Sequence, residues 1–289
     1  MYQSDLLKDR VVLITGGGTG LGRAMALRFA ELGARIFVCG RREEPLRETC
    51  EAIRASTGPQ QASAPAGAYA TCDVRDFAAV DAMLARARNE LGEVDTLVNN
   101  AAGNFLARTE KLSPHAFDAV VKIVLYGTFH CTQALAQRWI STGRPGTVLN
   151  IVATYASAAC GSGFVVPSAC AKAGVLAMTR SLAVEWARHK IRLNAIAPGP
   201  FPTEGAWSRL LPTKEIEERW LAAHPMKRWG RHEELANLAV YLISPQSEYV
   251  NGECVTIDGA QWLRGAGEFN DAVEIPDAAW ELMESARKR

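Results

Sequence analysis

The sequence predicts a doubly wound α/β fold, a seven-stranded parallel sheet flanked by helices. Two features carry that reading. Short β-branched runs alternate with longer segments of helical period, and a glycine-rich turn joins the first run to the first helix. A third concerns organisation: no shift in composition marks a boundary, so residues 1–289 read as one domain.

Taken in order, Val11–Thr15 is the first strand and Leu21–Leu32 the first helix. Arg35–Cys39 and Ala68–Cys72 are the next strands, with a helix at Pro45–Ala55 between them. The stretch Ala55–Gly67, rich in Gly, Pro and Ser, is a loop too short to link two domains. Ala78–Leu91 is helical, Thr96–Asn99 is the fourth strand, and Ser113–Ile140 is a long helix. Thr147–Val152 follows as the fifth strand. The second long helix, Ser168–His189, sets Ser168 and Lys172 one turn apart on one face. Arg192–Ala197, the helix Glu233–Ile243 and Cys254–Ile257 complete the rhythm. Pro198 to His224 falls outside it, with four prolines and an amphipathic segment, and reads as an excursion covering a site.

Hydrophobic residues make up 48% of the chain and the formal net charge is +1. That composition supports a sizeable core and offers no bulk charge for nucleic acid or an acidic surface. The seven cysteines are odd in number, have no C-x-x-C spacing and lie mostly in apolar runs, as buried reduced thiols do. Nothing resembling a leader precedes Val11, and Ser285-Ala-Arg-Lys-Arg289 is not a peroxisomal address. No apolar run approaches the ~18–20 residues of a membrane span. The expectation is a cytoplasmic protein without nucleic-acid, membrane or metal partners.

Thr15-Gly16-Gly17-Gly18-Thr19-Gly20-Leu21-Gly22 follows the first strand and opens the first helix. Glycines there permit a tight turn and close approach of backbone to a pyrophosphate at the helix N-terminus. A plain tight turn is the structural alternative; position and context favour the nucleotide. The second strand ends in Gly40-Arg41-Arg42, where NAD enzymes of this topology place a carboxylate on the ribose 2′-hydroxyl. Guanidinium groups suit a 2′-phosphate instead, so NADPH is expected, with Arg41 as the contact and Arg42 equally suited to a solvated helix start.

After the fifth strand comes Thr154-Tyr155, and then Pro167-Ser168-Ala-Cys-Ala-Lys172. These residues resemble the short-chain dehydrogenase/reductase family, whose usual pattern is Ser, about a dozen residues, then Tyr-x-x-x-Lys. Here Tyr155 stands where the Ser is expected and Ser168 where the Tyr is expected. Ala101-Ala-Gly-Asn104-Phe105, Gly161-Ser-Gly-Phe-Val-Val-Pro-Ser168 and Gly267-Glu-Phe-Asn-Asp271 narrow the likeness to its 2,4-dienoyl-CoA reductase branch. So does the lack of the family's helix asparagine near Val124. The likeness spans almost the whole chain.

That resemblance implies a Rossmann-type enzyme reducing 2,4-dienoyl-CoA thioesters to 3-enoyl-CoA with NADPH, in β-oxidation of unsaturated fatty acids. Tyr155, Asn104, Ser168 and Lys172 would form the active site. The glycine turn, Asp73 at the adenine, Asn100, Lys172, Pro198, Gly199, Pro200 and Phe201 would hold the cofactor. Arg75, Phe105, Ser113 and Arg209 would meet the acyl-CoA, and the two long helices would build a homotetramer. The loop between Tyr155 and Gly161 carries two residues more than expected, which bears on the direction of Tyr155. Plainer readings are Ser168 as a helix N-cap, Tyr155 as a packed aromatic and Asn104 as a turn cap. For the whole chain the alternatives are a 3-oxoacyl or carbonyl reductase, set back by the absent Tyr-x-x-x-Lys, and a catalytically silent NADPH-binding regulator.

Overall fold

All seven expected strands form, within a residue or two of the expected ends: β1 (Val11–Thr15), β2 (Arg35–Gly40), β3 (Gly67–Thr71), β4 (Thr96–Asn99), β5 (Gly146–Ile151), β6 (Ile191–Pro198) and β7 (Cys254–Ile257). The computed structural model describes residues 2–57, 67–157, 161–203, 213–265, 270, 272 and 276–286. The strands make one parallel sheet in the order β3-β2-β1-β4-β5-β6-β7. Every residue of β1, β4 and β5 is buried, as sequences covered on both faces require. The chain runs outward from β1 to β3 and then returns to lay β4 against the other side of β1. The crevice where strand order reverses lies at the carboxyl ends of β1 and β4, where open sheets of this kind bind ligands.

The helices are α1 (Gly20–Glu31), α2 (Glu43–Thr57), α3 (Phe77–Leu91), α4 (Pro114–Val121), α5 (Gly127–Thr142), α6 (Val166–Trp186), α7 (Lys214–Ala223), α8 (His232–Ile243), α9 (Gln261–Arg264) and α10 (Asp277–Ala286). One core joins α1, α2 and α8 to the sheet through Met25, Phe29, Ile53 and Leu235. A second joins α3, α5 and α6 to the opposite face through Leu84, Trp139 and Ala183. Between β4, β5 and these helices, Asn99 Nδ2 donates to Thr132 Oγ1 and Asn150 Oδ1, both at 2.9 Å, and Asn150 Nδ2 donates to Thr179 Oγ1 at 2.8 Å. Paired polar groups this deep fix α5 and α6 at one height on the sheet.

Three expectations change. The single helix Ser113–Ile140 is instead α4, a π turn at Lys122–Tyr126, and α5. Thr128 Oγ1 donates to Val124 O at 2.6 Å, occupying a carbonyl of the widened turn. Gly127 lets the helix meet the connection after β3, because a Cβ there would lie 2.5 Å from Val74 Cγ2. The excursion after Pro198 contains a helix, α7, whose N-cap Thr213 accepts from Ile216 N–H at 3.3 Å. By length and composition Pro114–Thr142 passes as a membrane span, but half of that window is buried inside the protein, as in a core helix. Cys39, Cys50, Cys72 and Cys131 are buried free thiols, as expected, while Cys170 is exposed.

Candidate active site

The glycine turn is a cradle that side chains would fill. Gly16 is left-handed, with φ 66, and its N–H donates to Cys39 O at 2.7 Å. A Cβ on Gly22 would lie 2.3 Å from Gly16 O, and one on Gly17 would lie 2.5 Å from Val38 Cγ1. Packing of α1 against the turn and β2 therefore demands glycine at both positions, independently of any ligand. Thr19, at the N-cap of α1, makes no side-chain capping bond, and the first turn carries no acid. The positive end of the helix is thus left to an anion, as a dinucleotide's pyrophosphate requires. Asn100 braces the turn: its Nδ2 donates to Thr15 O and Gly16 O, both at 3.1 Å. Thr15 Oγ1 accepts from the N–H groups of Asn100 and Ala101, each at 3.0 Å.

At the adenosine end Arg41 and Arg42 are exposed beyond β2. Glu43, the first acid after Gly40, accepts from Tyr69 OH at 3.2 Å. Arg75 closes on Asp73 with Nε–Oδ1 at 2.9 Å and Nη2–Oδ2 at 2.5 Å. That contact, with the charge of Arg41 a lesser contributor, holds the Asp73 carboxyl below its usual range. Arg75 is thereby paired with Asp73, a contact that its reading as a CoA contact did not foresee.

At the nicotinamide end Gly199 N–H donates to Ile257 O at 2.9 Å, and Pro200 O accepts from Gly230 N–H at 3.0 Å. Phe201 turns its ring into the core, where a Cβ on Gly230 would lie 2.4 Å from it. Any cofactor contact by Phe201 is therefore through its backbone. Thr203, not singled out from the sequence, approaches the glycine turn: its Cγ2 lies 3.0 Å from where a Gly20 Cβ would stand. A hydroxyl residue just past Pro198-Gly199-Pro200 was the available signal.

The reacting groups converge at the end of β5. A 3-10 turn at Thr154–Ala156 presents Tyr155, whose OH lies 3.1 Å from Ser168 Oγ and 3.4 Å from Asn104 Nδ2. Asn104 Oδ1 accepts from Phe105 N–H at 2.9 Å, which turns the amide's donor side toward the phenol. Burial raises the Tyr155 pKa, and the Ser168 hydroxyl opposes that shift. Tyr155 is accordingly a neutral donor at ordinary pH. Ser168 is only 2% exposed and lies inside the first turn of α6. Val165 holds the N-cap position, so the reading of Ser168 as a cap fails. Lys172 Nζ donates to Ile151 O, and burial lowers its pKa to about 8. Phe105 packs against the cluster of Val120, Val124 and Ala171 beside this site. Ser113 Oγ accepts from Ala116 N–H at 3.2 Å as the N-cap of α4. Arg209 and residues 158–160 of the loop after Tyr155 lie outside the described residues, as does most of Gly267–Asp271.

A family model described as enoyl-(acyl carrier protein) reductase matches residues 16–260. The chain is 45% identical over 258 residues to a probable (2E)-enoyl-CoA-producing 2,4-dienoyl-CoA reductase of Bacillus subtilis (strain 168), covering 89% of this chain and 98% of the relative. It is 33% identical over 282 residues to a (3E)-enoyl-CoA-producing peroxisomal 2,4-dienoyl-CoA reductase of Rattus norvegicus, covering 98% and 94%. Among solved structures, a short chain dehydrogenase from Bacillus anthracis superposes with a TM-score of 0.78 at 42% identity, covering 88% of this chain and 97% of that one. An actinorhodin polyketide ketoreductase with NADPH gives a TM-score of 0.80 at 30% identity, covering 90% and 99%. The chain belongs to the short-chain dehydrogenase/reductase family.

Proposed function

We propose that this protein is an NADPH-dependent 2,4-dienoyl-CoA reductase. The observation that carries the reading is the triangle of Tyr155, Asn104 and Ser168. A phenol after β5 and an amide in the loop after β4 converge, while the helix bearing Lys172 offers only a buried hydroxyl, an arrangement that suits one shared oxyanion. The names of the similar proteins support the same reading.

The glycine cradle, Arg41, Asp73 and Lys172 would hold NADPH, which when bound supplies a hydride for C5 of the dienoyl thioester. Negative charge then spreads through the diene to the thioester oxygen. The phenol oxygen of Tyr155 accepts from Asn104 Nδ2, and with the Ser168 hydroxyl donating as well the phenol's own proton would be directed outward to that oxygen. Asn104 keeps its second amide hydrogen for the same target. Lys172, anchored on Ile151 O, presents its remaining protons to the ribose hydroxyls. A proton delivered through water to Cα gives the 3-enoyl-CoA, and Arg75, Phe105, Ser113 and Arg209 are the proposed contacts to the CoA ester.

The assembly we propose is a tetramer built on α5 and α6. Tyr126, Phe129 and Ile140 are exposed along the first, and Val184 is exposed on the second. A groove of about 660 Å³ beside α6, lined by Ala173, Ala177 and Trp262, also reaches Tyr155, so that face of the helix borders the candidate site. The compartment we propose is the cytoplasm. The deciding experiment for function follows NADPH absorbance with 2,4-hexadienoyl-CoA, with an acetoacetyl thioester, and with neither. Consumption only with the first supports the reading, and consumption with the ketone alone replaces it. Proton NMR of the product distinguishes 3-enoyl from 2-enoyl thioester.

A further inference from the structure

Phe164 is a large aromatic residue in the left-handed region, with φ 65, where a bulky side chain is an outlier. Gly161 and Gly163 beside it have ordinary φ and no described atom within 4 Å of an added Cβ. Glycine, the residue at ease in this conformation, thus occupies two nearby positions that do not need it, and phenylalanine occupies the one that does. The ring for which this conformation is kept is 62% exposed, and Leu106 is 43% exposed. The residue after Leu106 is held to Phe164 by backbone: Ala107 N–H donates to Phe164 O at 2.9 Å, tying the loop that carries Asn104 to the segment that leads into Ser168. A strained aromatic ring that faces solvent, fixed at the rim of the donor triangle, fits a surface covered by an apolar ligand.

Resting on the reductase reading above, we infer that Phe164 is a specificity-determining residue. Its ring, with Leu106, forms the wall against which the far end of the acyl chain lies once the thioester oxygen is held by Tyr155 and Asn104. A short dienoyl chain ends before this wall; a longer one lies along it. Each buried methylene adds to binding, so discrimination by chain length should reside in this ring.

The test compares 2,4-hexadienoyl-CoA with 2,4-decadienoyl-CoA in the full-length enzyme and in Phe164→Gly, which removes the ring and suits the backbone conformation. Kcat/KM for the longer substrate should fall by about tenfold, mostly through KM, with the shorter changed less than about twofold. NADPH affinity and melting temperature should hold, which would exclude general damage. Phe164→Leu should restore part of the preference. An unchanged ratio between the substrates, or an equal loss on both, overturns the wall while leaving the reductase reading intact. No turnover of either thioester by the unmodified protein overturns both.

Discussion

Replacing Tyr155 by phenylalanine removes one hydroxyl and leaves the ring in its half-buried turn. In the structure that hydroxyl is shared by Ser168 Oγ at 3.1 Å and Asn104 Nδ2 at 3.4 Å, so its loss has two consequences of different size. The first falls on the folded state: Ser168, 2% exposed, loses its side-chain partner. A deficit of that kind costs roughly 1 kcal/mol, because a serine in the first turn of a helix still has backbone carbonyls within reach. The second falls on the transition state, where an oxyanion loses a preorganised donor. That loss is typically ~10²–10³ in kcat, or about 2.7–4 kcal/mol. Initial rates of NADPH oxidation with 2,4-hexadienoyl-CoA read the second term, and thermal unfolding reads the first. NADPH affinity, from fluorescence titration, should be unchanged, because the glycine cradle and Lys172 are untouched. Ser168→Ala should cost much less, since it removes only a group that aligns the phenol. Ser168→Tyr should not yield a ketone reductase, because position 168 is closed by packing. Should Ser168→Ala abolish turnover while Tyr155→Phe keeps it, the donor belongs on α6 and the reasoning is refuted.

Arg41→Ala should erode the preference for NADPH over NADH by roughly ten- to a hundredfold in affinity, the worth of a charge-assisted phosphate contact; equal affinities in the unmodified protein would remove the premise. The buried ammonium of Lys172 gives a pH dependence of stability in the cofactor-free protein. Unfolded, it holds its proton up to the ordinary lysine value of 10.5, but folded it releases it near about 8, so the unfolded state binds more protons between those values. Stability should therefore rise with pH across that window by up to about 3 kcal/mol, and Lys172→Met should flatten the rise in melting temperature. Light scattering should show a tetramer, or at least a dimer, at micromolar concentration; Ala177→Glu on the exposed face of α6 should dissociate it, and a monomeric parent would refute the assignment of that face.

The strands were legible because buried parallel strands must be short apolar runs, and Val11–Thr15 or Thr147–Ile151 admits little else. The π turn at Lys122–Tyr126 was not legible, since its cause is tertiary: Gly127 against Val74 and Thr128 turned back on Val124. At the site, identities were readable and partnerships were not. Tyr155, Asn104, Ser168 and Lys172 are 68 residues apart at the extremes, and only folding shows that three of them share one hydrogen-bonded triangle while Lys172 bonds the end of β5. The glycine turn was readable as a nucleotide cradle, but packing on Val38 and Gly16 is a separate reason for Gly17 and Gly22. Arg75 was expected to meet the acyl-CoA, and its partner Asp73 stands two residues away across a turn. Short spacing alone does not announce such a pair, because the turn must first bring the two side chains to one rim.

The exchange of tyrosine and serine follows from where charge develops. In ketone reduction the carbon that receives hydride also bears the oxygen, so the acid must stand beside the nicotinamide, on the lysine helix. In a 2,4-dienoyl thioester the hydride reaches C5 while the charge settles on the oxygen at C1, at the other end of the conjugated system. The donor must then stand away from the reacting carbon, and the strand end bearing Tyr155 together with the loop bearing Asn104 provides that position. Tyr155 OH and Ser168 Oγ are 3.1 Å apart, so the two exchanged positions still meet in one hydrogen bond. Lys172 stays fixed to the backbone at Ile151 throughout. The neutral, burial-raised phenol suits this task as well, since a delocalised dienolate requires a hydrogen bond rather than immediate protonation at oxygen. On the proposed assignment, a donor presented from the strand end rather than from the lysine helix would change which bond of a substrate the same cofactor site can reduce.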